Sequence, residues 1–587
     1  MSDASQIYPE FTELSRPFLT RPAITTVIAV ALLVVGVASL ALTPVRTDHD
    51  VFWHLKTGQV IVAGGWHLPE TDPFTYGSED VPWHNHEWLA QVTMHGLFRL
   101  GERTLSGGID GDNSAQAGMR MVVLGKALIL IGAFSVVART LWVAGVNPTL
   151  ACVIALLAGM ASRWSLHCRP PVITDLFLAV EILVLTRAWH CRHPLPAAIA
   201  CLFHFALWSN LHGGWLAGLV LLALWIAGDK LWILSHRRDE PFIRRFFQDR
   251  RLRVHSLLFG AALLGVLINP AGWHLYELTW RVMRESELIA RIPEMMPPRF
   301  PEHWPFFALL LMAAAALVFG LFRRGIVRPG EGLALLFFGW QATSHLRHVP
   351  LFVIVAALPV GRLMQLYSDW WAQRLTLRGA ELITLFKMLL LTLFVLVGVG
   401  TGLIVWKHRL IWEPHAPRNT RWFEGFGYEP TQYQDAACDA LISAGAPPRL
   451  WTNLNIGGFM IWRLSPETLK VFTDSRFDVH GGGPQRVEMS LNGVGPDGGV
   501  PDPDWEQVLD DLGVNVAVLE KATPLVRAMW ASPNWVAVHE WTAPGRRWRD
   551  GTMTFIRDVP ENETAISVVR RYAEVRNQSP QPPPSPM

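Results

Sequence analysis

The stretch RTDHDVFWH, beginning at Arg46, places two carboxylates, Asp48 and Asp50, beside two imidazoles, His49 and His54. Carboxylates so placed can take a proton from an attacking hydroxyl or hold a hard divalent cation, and imidazoles can bind or relay a proton. Farther along, Glu87 follows His84 and His86 and opens an amphipathic segment, Glu87–Leu100, of the kind that lies along a membrane interface. Held close together, Asp48, Asp50 and Glu87 repel unless a cation or a proton sits among them. They are the candidate catalytic acids and, equally, the candidate metal ligands, with Mg²⁺ or Mn²⁺ as the cation. The plainer alternative is that the two Asp are solvated and Glu87 is a helix-start acid favoured by the dipole. Spacing alone leaves both open.

These residues follow directly on an apolar run, Ala23–Leu42, of bilayer-spanning length and without a small-residue cleavage site. The rest of the chain carries the same character. Its 587 residues are 50% hydrophobic and only 17% charged, with a mean hydropathy of +0.24 and 27 Trp. That composition is of an integral membrane protein, since soluble domains carry roughly 25% charge and Trp is enriched at membrane interfaces. A net charge of +2 gives no reason to expect nucleic acid, and the five Cys fit no zinc or redox spacing. Further spans are expected at 119–141, 148–163, 171–188, 195–210, 214–234, 255–270, 304–322, 331–346, 350–366 and 382–406. With the first run these make about eleven transmembrane helices.

Loop charge orients them. The stretch SHRRDEPFIRRFFQDRRLRVH between the sixth and seventh spans is the densest in Arg. The positive-inside rule places it, and with it residues 1–22, in the cytoplasm. The loop 44–118 and everything after about residue 407 then lie outside. From roughly Pro417 the sequence changes. RLWTN, LKVFTD and VNVAVLE read as strands, and PTQYQDAACDALISAG, PDWEQVLDDLG and PLVRAMWAS as helices. WVAVHEW and TMTFIRD read as a closing strand pair. The expected architecture is therefore a mainly α polytopic domain over 23–406 with a small α/β extracytoplasmic domain over 407–575. A Pro-rich disordered tail follows at 576–587.

Several turns on the outer side carry cations. They include SRWSLHCRPP with Arg163, His167 and Arg169, SNLHGGW with His212, and SHLRHVP with His345, Arg347 and His348. Arg suits phosphate through its planar fork. The candidate substrate-binding residues are thus His54, His86, Arg163, Arg169, His212, Arg347 and His348. Each could instead be an interfacial cation against lipid headgroups. Within the spans, Lys126, Asp175 and Glu181 read as structural pairs. Asp474, Arg476 and Asp478 of TDSRFD read first as a salt-bridge cluster, with acceptor contact as the alternative. Acids on one external loop and bases on several others suit a substrate with a phosphate and a lipid tail.

An Asp-bearing first external loop, an interfacial helix, many spans and an external C-terminal domain resemble the GT-C superfamily of membrane glycosyltransferases. These include the protein O-mannosyltransferases and the lipid A aminoarabinose transferase. The strings DHDVFWHLKTGQVI, LPETDPFTY, NHEWLAQV, NLHGGWLAGL, NPAGWHLYE, LRHVPLFVIVAALPV and GGFMIWRL…KVFTDSRFDVH are similar to a group of bacterial multi-spanning proteins placed near that superfamily. The resemblance implies a polyprenyl-phosphate sugar donor, an unspecified glycan, lipid or protein acceptor, and an inner-membrane location. It also implies a loop acid, Asp48 or Asp50, as base or metal neighbour, with Glu87 as the second acid. Asp-His-Asp stands here where the O-mannosyltransferases have Asp-Glu, which leaves the catalytic acid open. Two other readings stand beside the transferase. One is a transporter, disfavoured by the lack of an inverted repeat. The other is an envelope assembly scaffold acting through its C-terminal domain.

Overall fold

In the computed structural model the described residues are 24–45, 48–105, 114–188, 194–236, 250–284, 293–323, 325–375, 427–428, 433–493, 499–542 and 547–584. They form two compact units. The first, residues 1–43, 123–269 and 290–426, holds most of the apolar helices. The second gathers residues 44–122, 270–289 and 427–587, so the first polar loop folds with the C-terminal α/β segment.

Helices of the first unit are α1 (Ile24–Ala41), the greater part of α4 (Ser114–Val143), α5 (Pro148–Ser162), α6 (Pro171–Ala188), α7 (Pro194–Leu211), α8 (Trp215–His236), α9 (Arg250–Val266), α11 (Trp304–Phe322), α12 (Pro329–Ser344) and α13 (Val349–Leu375). Among the described residues seven helices are long and apolar enough to cross a membrane. The chain is a multi-pass membrane protein. All ten expected spans up to residue 366 are helices, but α9 and α12 are short and α6 carries Asp175, Glu181 and Arg187. The eleventh, 382–406, lies outside the described residues. Lipid-type side chains such as Leu321 and Phe322 are exposed on these helices. Small residues such as Ala155 and Ala158 are buried where helices meet, as expected where close backbone approach drives packing.

The second unit is built on a five-stranded sheet in the order β2-β1-β3-β5-β4: β1 (Arg449–Thr452), β2 (Lys470–Val471), β3 (Val516–Glu520), β4 (Trp535–Trp541) and β5 (Thr552–Arg557). β2, β1 and β3 are parallel, and β5 pairs antiparallel with β3 and β4. Alternation along β3 divides the core. Ala517 and Leu519 join Trp451, Leu525, Met529 and Phe555 in one apolar cluster, while Val516 and Val518 point the other way. The connecting helices are α14 (Asp435–Ala444), α15 (Leu454–Leu464), α16 (Phe477–His480), α17 (Gly483–Leu491), α18 (Trp505–Asp511), α19 (Pro524–Ala531) and α20 (Glu563–Val575).

The first loop is far more structured than an interfacial hairpin. α2 (Asp50–Ala63) and α3 (Trp88–Leu105) pack together, and α10 (His274–Arg284) joins the same unit. At Gly58 a Cβ would lie 2.2 Å from the Gln91 carbonyl oxygen, so only Gly lets α2 meet α3. At Gly458 a Cβ would lie 2.4 Å from the His49 oxygen, so α15 reaches the start of α2 the same way. Phe52 is fully buried among Tyr428, Tyr433, Phe459 and Trp462. Residues 74–77 then run along the free side of β2, with Tyr76 N donating to Val471 O and Gly77 N to Phe472 O. That covers an edge which would otherwise present unpaired backbone groups.

Candidate functional site

Asp50 is the first residue of α2, where the helix dipole favours a carboxylate. Its Oδ1 accepts from Ser475 Oγ at 2.5 Å. His49, one residue earlier, packs edge-on to Tyr433 and Phe459. Burial pushes its imidazole down to about 4, against the opposing pull of Asp50, so it is neutral near pH 7. Asp48 is partly buried at the same turn.

Below this lies a buried ion cluster. The Arg476 guanidinium donates from Nη1 and Nη2 to the two oxygens of Asp72, each at 3.0 Å. It also donates from Nε and Nη2 to Asp474, at 2.9, 3.0 and 2.5 Å. All three side chains are inaccessible to solvent. The guanidinium carbon lies 5.5, 5.4 and 5.0 Å from the ring centroids of Trp53, Phe74 and Trp83, an arrangement that adds cation–π attraction. Burial pushes the Asp474 carboxyl up, but Arg476 and His480 overcome it and hold it far below the usual range. Burial pushes Arg476 down, and Asp474 and Asp72 more than reverse it. His480 Nε2 stands 3.4 Å from Asp474 Oδ1, and its Nδ1 is 2.8 Å from Ser78 Oγ.

Glu87, His54 and His86, singled out above, do come together. Glu87 lies 3.8 Å from His54 Nδ1 through one oxygen and 3.8 Å from His86 Nε2 through the other. Asp478 approaches the other side of the His86 ring at 4.0 Å and accepts from Trp83 Nε1 at 3.2 Å. Burial lowers His86, with Asp478 opposing. Two carboxylates thus flank one imidazole.

Asp48, Asp50 and Glu87 do not form one ligand set. Among the described residues the group with three metal-ligating atoms within 4.8 Å of one another is Asp72, Asp474 and His480. Its donor types suit a cation, but the Arg476 guanidinium already bonds both carboxylates and supplies the positive charge. A metal there would have to displace it. At this cluster the residues present do not fit a resident metal.

In the first unit, turns at Arg163–Ser165, Pro293–Met295 and Leu346–His348 meet. Leu346 N donates to Met296 O at 2.8 Å and Ser165 Oγ to Leu346 O at 3.2 Å. Arg169 donates to Glu294, and His167 Nε2 is 3.3 Å from the same oxygen. Burial pushes Glu294 up, yet Arg169, His167 and Arg347 together hold it low. Arg163 stacks 4.4 Å over Trp164, and the His345 and His348 rings lie 5.3 Å apart. Two Arg and one His thus act on one carboxylate. His212 is different. It is buried, its Nδ1 accepts from Gly214 N at 2.9 Å, and Thr174 Oγ1 lies 2.7 Å away. That makes it a helix-end tie.

Sequence reasoning passed over Asp72, Ser475, His480 and Glu294. Asp72 carried a faint signal, since Thr-Asp-Pro opens a turn. The other three look ordinary until the fold sets them beside the acids.

No family model matches the sequence, and no curated protein matches it either. Solved structures do. The chain is similar to the oligosaccharyltransferase AglB of Archaeoglobus fulgidus in complex with an inhibitory peptide and a dolichol-phosphate. The TM-score is 0.54 at 12% identity, over 92% of this chain and 77% of that one. The apo form of the A. fulgidus oligosaccharyltransferase gives 0.53 at 12% identity, over 94% and 78%. ArnT from Cupriavidus metallidurans, bound to undecaprenyl phosphate, gives 0.46 at 14% identity, over 91% and 98%. At these identities the likeness is one of fold. The chain shares its fold with the A. fulgidus oligosaccharyltransferase.

Proposed function

We propose that this protein is a membrane glycosyltransferase that moves a sugar from a polyprenyl-phosphate-linked donor to an extracytoplasmic acceptor. The observation that carries the reading is the folding of the first-loop acids onto the α/β segment of a GT-C fold, where Asp50 meets Ser475 and Glu87 meets His54 and His86. That AglB is described with a dolichol-phosphate supports a lipid-phosphate donor.

The reaction is a displacement at the anomeric carbon. The acceptor hydroxyl oxygen bonds to that carbon, its proton passes to a carboxylate, and the bond to the donor phosphate oxygen breaks. Asp50 is the first candidate for the base and Asp48 the second. Glu87 holds acceptor or sugar hydroxyls, aided by His54 and by His86, whose imidazole burial pushes down against Asp478. By residue chemistry alone, Arg163, Arg169, Arg347 and His348 of the first unit are the candidates for binding the donor phosphate. His212 ties the end of α7 to Thr174 of α6. The site faces the outside of the inner membrane, as the positive-inside rule has it.

The test is turnover by purified, detergent-solubilised protein with a panel of polyprenyl-phosphate sugars, with and without Mg²⁺ or Mn²⁺. Wild type should release polyprenyl phosphate. Asp50→Asn or Asp48→Asn should lower kcat by about 10²–10⁴ while leaving donor binding intact, the range a positioned base contributes. Glu87→Gln should raise KM more than it lowers kcat. An absence of donor binding across the panel by folded protein sinks the reading and leaves transport or scaffolding.

A further inference from the structure

We propose that Ser475 and Arg476, which lie some 400 residues beyond the first loop, are positioning residues for Asp50 (sequence separation 425 for Ser475). The inference rests on the transferase reading above and assigns residues to the same site.

Ser475 Oγ to Asp50 Oδ1 is the short, charge-assisted bond that orients the candidate base. Asp50 sits at the first turn of a helix, so its backbone is fixed but its carboxylate can still rotate about two side-chain torsions. The Ser475 hydroxyl, bonded to one oxygen, helps select the rotamer. That works only if the donor is itself immobile, and the neighbours of Ser475 make it so. Asp474 folds back to accept from Arg476 N at 2.8 Å, and its carbonyl accepts from Gln485 Nε2 at 3.0 Å. Arg476 is then held by both Asp474 and Asp72. Asp72 in turn accepts from Thr75 Oγ1 at 2.6 Å and Phe74 N at 3.3 Å, beside the point where the loop runs along β2.

The device has the chemistry of register. A buried ion cluster is often no more stabilising than apolar residues of the same volume. Its planar, bidentate fork does fix angle and spacing, which an apolar contact leaves soft. Two residues past the fork, Asp478 is placed against Trp83 and His86. The pin therefore holds one carboxylate through Ser475 on one side and presents another on the far side.

The experiment compares wild type, Ser475→Ala, Ser475→Thr and Arg476→Lys in the full chain. Ser475→Ala should lower kcat about tenfold to a hundredfold, as a misaimed reacting group does, with KM for the donor unchanged. Ser475→Thr should restore most of the loss. Amide exchange over 48–56 should rise about threefold in Arg476→Lys while β3 and β5 stay as protected as in wild type, a local opening. Wild-type kcat in Ser475→Ala overturns the proposal. So does exchange that is unchanged, or that rises equally in the strands, which would make Arg476 a general structural support. If wild type turns over no donor at all, the transferase reading falls and the exchange result alone decides the pin.

Discussion

Single residues here are tuned by what buries them. Glu488, on α17, shows this. Its Oε1 accepts from Leu454 N at 3.1 Å and Asn492 Nδ2 at 2.5 Å, yet burial pushes its carboxyl up to about 8. The folded state therefore holds a proton that the unfolded chain releases near 4.5. Stability from this group is complete below that value and is lost as pH rises through about 8. Glu488→Gln keeps an acceptor for both bonds and has nothing to ionise. Melting temperature measured from pH 5 to 9 should fall less in the variant than in wild type, and parallel curves would refute the assignment. His49 has the opposite sign. Its depressed imidazole contributes stability above about 6.5 that drains away as pH falls through about 4.

At the scale of elements, packing is governed by a few close approaches. The α2–α3 contact depends on Gly58, and Gly58→Ala puts a methyl group 2.2 Å from a backbone oxygen. The helices must separate, at a cost of about 1–3 kcal/mol, measurable as a lowered denaturation midpoint of the solubilised chain. Much of this scale was legible in the sequence, because apolar runs are local signals. The helices of the first unit follow from hydropathy, and RLWTN, VNVAVLE, WVAVHEW and TMTFIRD became β1, β3, β4 and β5. α2 escaped because DVFWHLKTGQVIVA is buried nearly all round up to Gly58, which leaves no polar stripe to betray a helix. The site was legible only in part. Asp48, Asp50, Glu87, His54 and His86 stood out by type and crowding. Asp72 and Ser475 did not, because what marks them is a partner about four hundred positions away, and pattern reading sees only neighbours. The same distance hid the role of Arg476, which composition could present only as one charge among three in TDSRFD.

At the scale of the whole molecule, the seven apolar helices among the described residues make the bilayer part of the solvent, so a ligand with a lipid tail can bind without leaving it. If the basic turns hold the phosphate, polyprenyl phosphate should raise the melting temperature of wild type. Ligand at a hundred times Kd adds about 2.7 kcal/mol. The rise should shrink in Arg169→Gln and in Arg347→Gln, and equal rises in all three proteins would remove phosphate recognition from those turns. The span between Asp72 and Arg476 also sets a timetable. They are 404 residues apart. A ribosome adding roughly 5–20 residues per second needs about 20–80 s to cover that distance. Through that interval the newborn loop has its acids but lacks the cation that binds them. A chain cut short by a nonsense codon would keep its membrane anchors and a loop of unneutralised acids, ready for a protease. Completion of translation is thus the step that closes the ion cluster.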